Sequence, residues 1–558
     1  MRRPNPGKPS KTSLPRSDSR APLLCLAVAT PALIVGLTTI YLLMGRAAAG
    51  EFGFPLDDSW IHVRFAQNLA AGRGFAFNPG EPTSTTTSPL WTLVLAGLYR
   101  VTGEYLFTSI ACNALLALAL CAMAYGLALT LTPSRWLACA AGVVVAATAP
   151  LPWWVLSGME PPLYAALAAL GVLLHVRLRR APVLPGLAPT VAFGLAGLAR
   201  PECLLLFPLA MLDRLVMARW IEKHPHAIRQ WAKELVLHVP LFALISTPPF
   251  VHNLLMTGLP LPSSFYSKQQ WGSLAGALVM GKMSLVLLSL LVSPWRQLGS
   301  VLAAWGRDNL LLVPAFLLGV GWLVRGVVQG RSRHGSLLIP MAVVVQPMAW
   351  AVLAGYRPAD FQSQRYLAGL NPLFLLVGMA GVWWLSEQVP AFRPRAARVG
   401  LVLAVLALSL ARQPSAATTY SRNVRDTTLM QVAVARWVRV HVPRRALLAV
   451  NDVGAIGALA GNPVLDLQGL VTPEVLPLRS MEQRLAGTAP AALWGYVYGR
   501  RPDYVIVFPQ WYPEVQTFGE WLRLVHSVEV PDTITSGAPV MVVFQTIWAQ
   551  EHGMELRP

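Results

Sequence analysis

Charged residues are scarce in this chain: Asp, Glu, Lys and Arg supply 13% of its 558 residues, against 54% hydrophobic. An average soluble domain carries roughly 25% charged residues, so a water-soluble fold would leave much apolar surface uncovered. Several runs also reach the ~20 apolar residues needed to cross a bilayer core. The charge that is present is one-sided, at a net +19. Its Lys and Arg sit mainly in short segments between apolar runs, where positive charge holds a loop on the cytoplasmic side. No basic helix interleaved with aromatics and no nucleic-acid motif accompanies it, which argues against nucleic acid as a partner. Cysteine is sparse too. Cys25, Cys112, Cys121, Cys139 and Cys203 lie in or beside apolar runs and form no CxxC pair, so a metal-thiolate site is disfavoured. None follows residue 412, which excludes disulfide staples from the polar C-terminal region. There is no P-loop, no Gly-rich dinucleotide fingerprint and no repeat of solenoid or propeller period.

What is present is organised by apolar runs. Residues 1–21 are polar, Pro/Ser-rich and basic and read as a disordered cytoplasmic tail. Eleven runs follow, at about Leu23–Met44, Tyr105–Leu131, Trp136–Leu156, Pro161–Val176, Leu187–Ala199, Cys203–Val216, Leu235–Leu255, Leu310–Val324, Leu337–Leu353, Leu367–Leu385 and Val399–Leu410. Several are short for a full crossing, which predicts tilted or broken helices. Arg135, Arg177, Arg179, Arg180, the block from Arg214 to Lys233, Arg325, Arg331, Arg333, Arg393, Arg395 and Arg398 fall at alternate turns. The positive-inside rule then puts the N-terminus in the cytoplasm and the C-terminus outside. This requires Trp271–Arg307 to begin and end outside, as a re-entrant hairpin or surface helices. The expected fold is an α-helical polytopic membrane protein with about 11 spans over residues 22–411, resident in the inner or plasma membrane. Residues 412–558 have no run long enough to span. Short β-type runs at Ala446–Val450, Tyr504–Phe508 and Val540–Thr546, with a helical stretch around Leu429–Val440, predict a small extracytoplasmic α/β domain.

The outward loop at 50–104 is the most informative segment. Ile61, Phe65 and Leu69 form one helical stripe, with His62, Gln67 and Asn68 off it, predicting a short amphipathic helix on the membrane surface. Asp57 and Asp58 stand at its first turn. Two readings of the pair are open: helix capping, or a general base that also orients an acceptor hydroxyl. His62, at i+4 from Asp58, shares its face. A divalent metal on Asp57, Asp58 and His62 is conceivable, although an ordinary hydrogen-bonded cluster has the same composition.

The context of the pair is more specific. Leu56-Asp57-Asp58-Ser-Trp-Ile-His-Val-Arg64-Phe-Ala-Gln-Asn68, Gly72-Arg-Gly74, Phe77-Asn78-Pro79-Gly80-Glu81 and Thr87-Ser88-Pro89-Leu90-Trp91 follow in order. Together they resemble the first outward loop of bacterial GT-C glycosyltransferases related to the family 39 protein mannosyltransferases and the mycobacterial arabinofuranosyltransferases. The resemblance continues through Ser157-Gly158-Met159-Glu160-Pro161-Pro162-Leu163, Ala199-Arg200-Pro201-Glu202, Leu259 to Lys268 and Gln364-Arg365-Tyr366-Leu367. It reaches Asp452-Val-Gly454-Ala-Ile-Gly457 and Val464 to Glu474 in the C-terminal region. His62 stands where that family has a small or hydroxyl residue, and Trp60 where it has tyrosine. Pro82 to Thr87 replaces its usual stretch, so no particular sugar or acceptor carries over.

The resemblance implies an inverting glycosyltransferase whose donor is a sugar linked by phosphate to a polyprenyl lipid, with no cofactor required. The acceptor is a hydroxyl on a glycan, lipid or protein, and membrane lipids surround the enzyme. Asp57 or Asp58 would take the acceptor proton. Arg365, and less strongly Arg200 and Lys268, would hold the donor phosphate, because guanidinium geometry matches phosphate. Interfacial snorkelling is the competing account of each cation, and Arg200 and Glu202 could simply neutralise one another. His62, Arg64, Glu81, Glu160 and Tyr266 would lie around the substrate. Two other classes compete: a non-catalytic assembly or sensor protein on the same scaffold, and a secondary transporter, for which no inverted halves are visible.

Overall fold

The computed structural model describes residues 20–557 apart from 133, 180, 182, 269–273, 280–282, 331–335, 480–486 and 488. The basic tail up to residue 19, and Arg180, Arg331 and Arg333, lie outside the described residues. Each of the eleven apolar runs is helical. The first is α1 (Ala21–Ala49), which opens on Pro22 and ends where Gly50 turns left-handed at φ 81°. Glycine accepts that conformation without a Cβ penalty. After it come the apolar helices α4 (Leu106–Leu131), α5 (Arg135–Ala146), α6 (Pro150–Leu156), α7 (Pro161–Leu178), α8 (Ala188–Ala199), α9 (Leu206–Val216), α10 (Ala227–Ser246) and α11 (Pro248–Thr257). The expected breaks are present. α5 and α6 bend by 59° ahead of Pro150, and α10 and α11 by 48° ahead of Pro248, where a ring replaces a backbone donor.

Farther along come α12 (Ser263–Ser267), then Met283–Asp308 as α13, α14 (Leu312–Val328), α15 (Leu338–Ala354), α16 (Asn371–Gln388) and Arg395–His441 as α17. Two of these differ from expectation. α13 is a continuous helix of 26 residues, apolar and long enough to cross a membrane, where a hairpin or surface helices were expected. Pro294 sits on a first helical turn directly after the π turn Leu288–Val292, a position that tolerates a missing donor. α17 is helical for 47 residues, straight through residue 412, where composition changes. Its middle part packs along α1: Ala417, Tyr420 and Val424 join the membrane-helix core, and Tyr41 donates to Gln413 Oε1 at 2.6 Å.

Past α17 the chain forms a five-stranded sheet in the order β2-β1-β3-β5-β4. Its strands are β1 (Leu448–Val450), β2 (Val464–Asp466), β3 (Tyr504–Val507), β4 (Leu522–Glu529) and β5 (Val540–Thr546). β1 pairs in parallel with β2 and β3, while β5 is antiparallel to β3 and β4. The three parallel strands are fully buried, as strands covered on both faces must be. One face packs on the end of α17 through Val434, Ala435 and Val438. The other meets Leu493, Trp494 and Val497 of α18 (Ala489–Arg500).

The outward loop is a folded wedge between these layers. It holds α2 (Asp58–Ala70) and α3 (Pro89–Thr102). α2 is buried on both faces, which corrects the expectation of a helix lying on the membrane surface. Phe65 joins the core of the outer sheet, and Ala66 joins that of the membrane helices. His62 and Asn68, off the apolar stripe, are buried as well, His62 against Thr92 and Glu160 and Asn68 against the Ala76 and Phe77 carbonyls of its own loop.

Candidate active site

The sequence motifs converge where the wedge, the membrane helices and the outer sheet meet. Pro89 starts α3 and Trp91, fully buried, donates from Nε1 to Gly158 O at 3.0 Å. Ser59 Oγ donates to Ser157 O at 2.7 Å. Gly158 has φ 67°, and a Cβ there would lie 2.2 Å from the Phe54 ring, so only glycine fits the turn. This grip sets Glu160 at the head of α7, facing α2.

The two aspartates face different partners. Asp57 makes no cap bond to α2, so the capping reading does not hold for its own helix. Its carboxylate reaches the outer domain instead, accepting from Gly454 N at 2.8 Å and Ala455 N at 2.7 Å. Those amides open the π-helical turn Ile456–Ala460, whose free N–H groups favour a carboxylate. Burial, then the neighbouring Asp452, push Asp57 up, and burial pushes Asp452 up to about 6. Asp58 turns the other way. Its Oδ2 accepts from Arg365 at 2.7 Å and Lys268 at 3.1 Å. Burial pushes its carboxyl up, but Lys268 and Arg365 outweigh this and hold it well below the usual carboxylate range.

Asp58, Lys268 and Arg365, in contact with one another, line a cavity of about 1190 Å³. The Arg365 side chain is only 3% exposed, against 25% for Asp58 and 34% for Lys268, so the last two are open to an occupant while Arg365 backs them. Along the cavity run Met256, Leu259, Phe265, Trp350 and Leu353, an apolar wall, and across it the outer domain presents Gln468, Glu474 and Arg479. Behind this charged cluster runs a second network. Arg200 donates to Glu160 at 2.8 Å and to Glu202 at 3.0 and 2.5 Å, so the expected neutralisation of Arg200 by Glu202 is present, with Glu160 added. His62 Nε2 lies 3.4 Å from Glu160 and its Nδ1 lies 3.3 Å from Thr92 Oγ1. Burial pushes His62 down, leaving a neutral ring.

Other expected residues divide. Tyr266 lines the cavity and accepts from Leu261 N at 3.5 Å. Arg64 and Glu81 do not line it, which corrects their grouping with substrate. Arg64 Nε donates to Phe77 O at 3.0 Å. Glu81 accepts from Asn78 at 2.7 Å, and Asn78 in turn pairs with the backbone of Val464 at 2.7 and 3.0 Å. That Phe-Asn-Pro-Gly-Glu stretch fastens the loop to the edge of β2. Asp57, Asp58 and His62 address three separate sets of partners, so they do not form the metal triad that spacing allowed. Among the described residues no three His, Cys, Asp or Glu gather to hold a metal ion. Arg357 and Arg479 line the cavity without belonging to any motif named above. Neither sequence spacing nor hydropathy singles them out.

The whole architecture recurs in solved structures. The apo oligosaccharyltransferase of Archaeoglobus fulgidus superposes with a TM-score of 0.59 at 10% identity, over 94% of this chain and 75% of that one. The same organism's AglB, in complex with an inhibitory peptide and a dolichol-phosphate, gives 0.54 at 12% identity, over 86% and 69%. ArnT from Cupriavidus metallidurans bound to undecaprenyl phosphate gives 0.51 at 12% identity, over 94% and 98%. The chain has the GT-C fold. A family described as a domain of unknown function (DUF8728) matches residues 420–544, the end of α17 and most of the outer sheet. No curated protein matches the sequence. Within this GT-C fold most apolar runs and the strands β1, β3 and β5 lie where the sequence pattern predicts.

Proposed function

We propose that the protein is an inverting glycosyltransferase that moves a sugar from a polyprenyl-phosphate-linked donor to an acceptor hydroxyl on the outer face of the membrane. The observation that carries this reading is the charged cluster of the cavity. There a half-open carboxylate, Asp58, sits between Lys268 and Arg365, and an apolar wall leads away from them. A lipid-linked phosphosugar has the same polarity sequence, chain then phosphate then sugar. The GT-C relatives solved with dolichol-phosphate and undecaprenyl phosphate make such a donor a reasonable occupant.

The acceptor oxygen attacks the anomeric carbon from the face opposite the phosphate. The new carbon–oxygen bond forms as the bond to phosphate oxygen breaks, and its electron pair leaves with polyprenyl phosphate. Asp58 takes the acceptor proton as general base, and Lys268 and Arg365 stabilise the departing phosphate. Without donor these cations depress Asp58 and make it a weak base. A phosphate that draws them away restores its basicity when the donor is in place. Asp57 acts through position, tying the loop to the outer domain. The acceptor enters past Gln468, Glu474 and Arg479 and is a glycan, lipid or protein hydroxyl. In this reading residues 1–21 are a cytoplasmic tail, 22–411 the membrane module and 412–558 the extracytoplasmic domain.

The test is transfer from radiolabelled polyprenyl-phosphate sugars in proteoliposomes. Asp58→Asn is expected to lower turnover by about 10²–10⁴-fold while the protein unfolds at the wild-type temperature. Transfer by Asp58→Asn at the wild-type rate would remove Asp58 from the chemistry.

A further inference from the structure

The cations at the cavity do not all have the same standing. Arg200 is bonded to Glu160 and Glu202, and Lys268 and Arg365 share Asp58. Arg357 and, across the cavity, Arg479 have no carboxylate within ion-pair distance among the described residues, but Arg479 donates to Leu467 O at 2.8 Å and Tyr512 Oη at 2.7 Å, whereas the Arg357 side chain has no such acceptor among them. Its guanidinium lies 4.7 Å from the centre of the Tyr366 ring and 5.5 Å from that of Phe361. Arg200, Lys268, Arg365 and Arg357 thus stand with three carboxylates, Asp58, Glu202 and, behind the wall, Glu160, one positive charge in excess on this side of the cavity.

We propose that Arg357 carries this excess charge to the donor's phosphate, and that Tyr366 is the positioning residue that holds it there. The proposal rests on the donor reading above and names the residue that first recognises the lipid phosphate. Three features support it. Stacking on aromatic faces fixes a guanidinium in place while leaving its N–H donors unspent, as a phosphate ligand requires. Arg200 and Arg365 lie 4.7 and 5.0 Å from the centre of the same Tyr366 ring, and Arg365 also donates to Tyr366 Oη at 3.1 Å. One ring therefore spaces three guanidiniums that would otherwise repel. The backbone is pinned as well: Pro358 restricts Arg357 to extended conformations, and Arg357 N donates to Gln297 Oε1 at 3.1 Å. Trp350 and Leu353 of α15 lie just before this turn and continue as apolar cavity wall, the surface a polyprenyl chain would follow from a phosphate at Arg357. A phosphodiester-linked donor is singly charged and would neutralise the excess.

The experiment measures binding of undecaprenyl phosphate, without sugar, to the full chain in nanodiscs, with inorganic phosphate as a parallel arm. Wild type should bind the lipid, and millimolar inorganic phosphate should not compete. Arg357→Gln should weaken binding at least about tenfold without lowering the unfolding temperature, and Arg357→Lys should recover part of the loss. Tyr366→Leu should resemble Arg357→Gln. In turnover, Arg357→Gln should raise the donor KM and leave the acceptor KM unchanged. Lipid binding by wild type and Arg357→Gln with equal affinity overturns this inference and leaves the donor reading standing. No lipid binding by wild type overturns both, and competition by inorganic phosphate as strong as the lipid overturns the lipid assignment.

Discussion

Asp57 and Asp58 are neighbours in sequence with opposite environments, and the contrast comes from partners far away in the chain. Lys268 and Arg365 meet Asp58 across more than 200 residues, and Gly454 meets Asp57 across 397. The dipeptide was legible as a candidate site, but the division of labour within it was not, because no local pattern encodes contacts at that separation. The same holds for Arg64 and Glu81, whose motif positions looked functional and whose bonds are structural. Gly454 offers a test at this scale. A Cβ there would lie 2.1 Å from Asp57 O and 2.6 Å from its Oδ2, so the amide can reach the carboxylate only from a residue without a side chain. Gly454→Ala is expected to cost about 1–3 kcal/mol by overpacking, read as a lower unfolding temperature. Gly519→Ala, with nothing within 4 Å of the new methyl, is the control and should be nearly silent. Equal effects of the two would mean that the Asp57 contact does not depend on this glycine.

One scale up, the turn that delivers Arg365 is an element without a sequence signal. Gln362, Ser363 and Gln364 all adopt left-handed backbone, with φ of 47°, 54° and 59°, although none is glycine. Each such residue costs of order 1–2 kcal/mol. The turn is held from outside: Gln364 Nε2 donates to Asp308 at 2.5 Å, Trp154 Nε1 donates to Ser363 O at 2.8 Å, and Tyr164 Oη donates to Arg365 O. Asp308 ends α13, whose extent the sequence left unreadable, because the positive-inside rule required Trp271–Arg307 to begin and end on one side. Helices such as α4 and α7 were legible because apolar length alone specifies them. β4 was missed because its pattern is that of a mostly exposed edge strand. If the turn positions Arg365, Ser363→Gly should relieve about 1–2 kcal/mol of strain against about 0.5–1 kcal/mol of added chain entropy in the unfolded state, a net gain of at most about 1 kcal/mol, and keep the donor KM. Gln364→Ala should loosen Arg365 and raise the donor KM with little change in kcat. A donor KM unmoved by Gln364→Ala would show that Trp154 and Tyr164 suffice.

At the scale of the whole molecule, the outer domain and the membrane module are joined by α17 lying along α1, by Ser267 Oγ donating to Gln468 O at 2.6 Å, by Asn78 on β2, and by Asp57 on the outer domain. The last contact has a pH dependence. Burial pushes Asp57 and Asp452 up, the latter to about 6, so the docked state holds a proton that the separated carboxylates would release near pH 4. A group with a raised folded pKa contributes stability in acid and loses it as pH rises through that pKa, and two coupled carboxylates share the effect. Above pH 6 the docked protein therefore contains a like-charge repulsion that Asp452→Asn would remove. Asp466, also pushed up to about 6 by burial, adds a slope of the same sign. Buried His62, pushed down, adds one of opposite sign. The absolute curve thus mixes several groups, whereas the difference between variant and wild type isolates the pair. Thermal unfolding followed by tryptophan fluorescence should show the smallest advantage of Asp452→Asn over wild type at or below pH 4. That advantage should grow from pH 4 through pH 6 and level off by pH 7.5. A difference that stays constant with pH would mean that Asp452 does not titrate against Asp57.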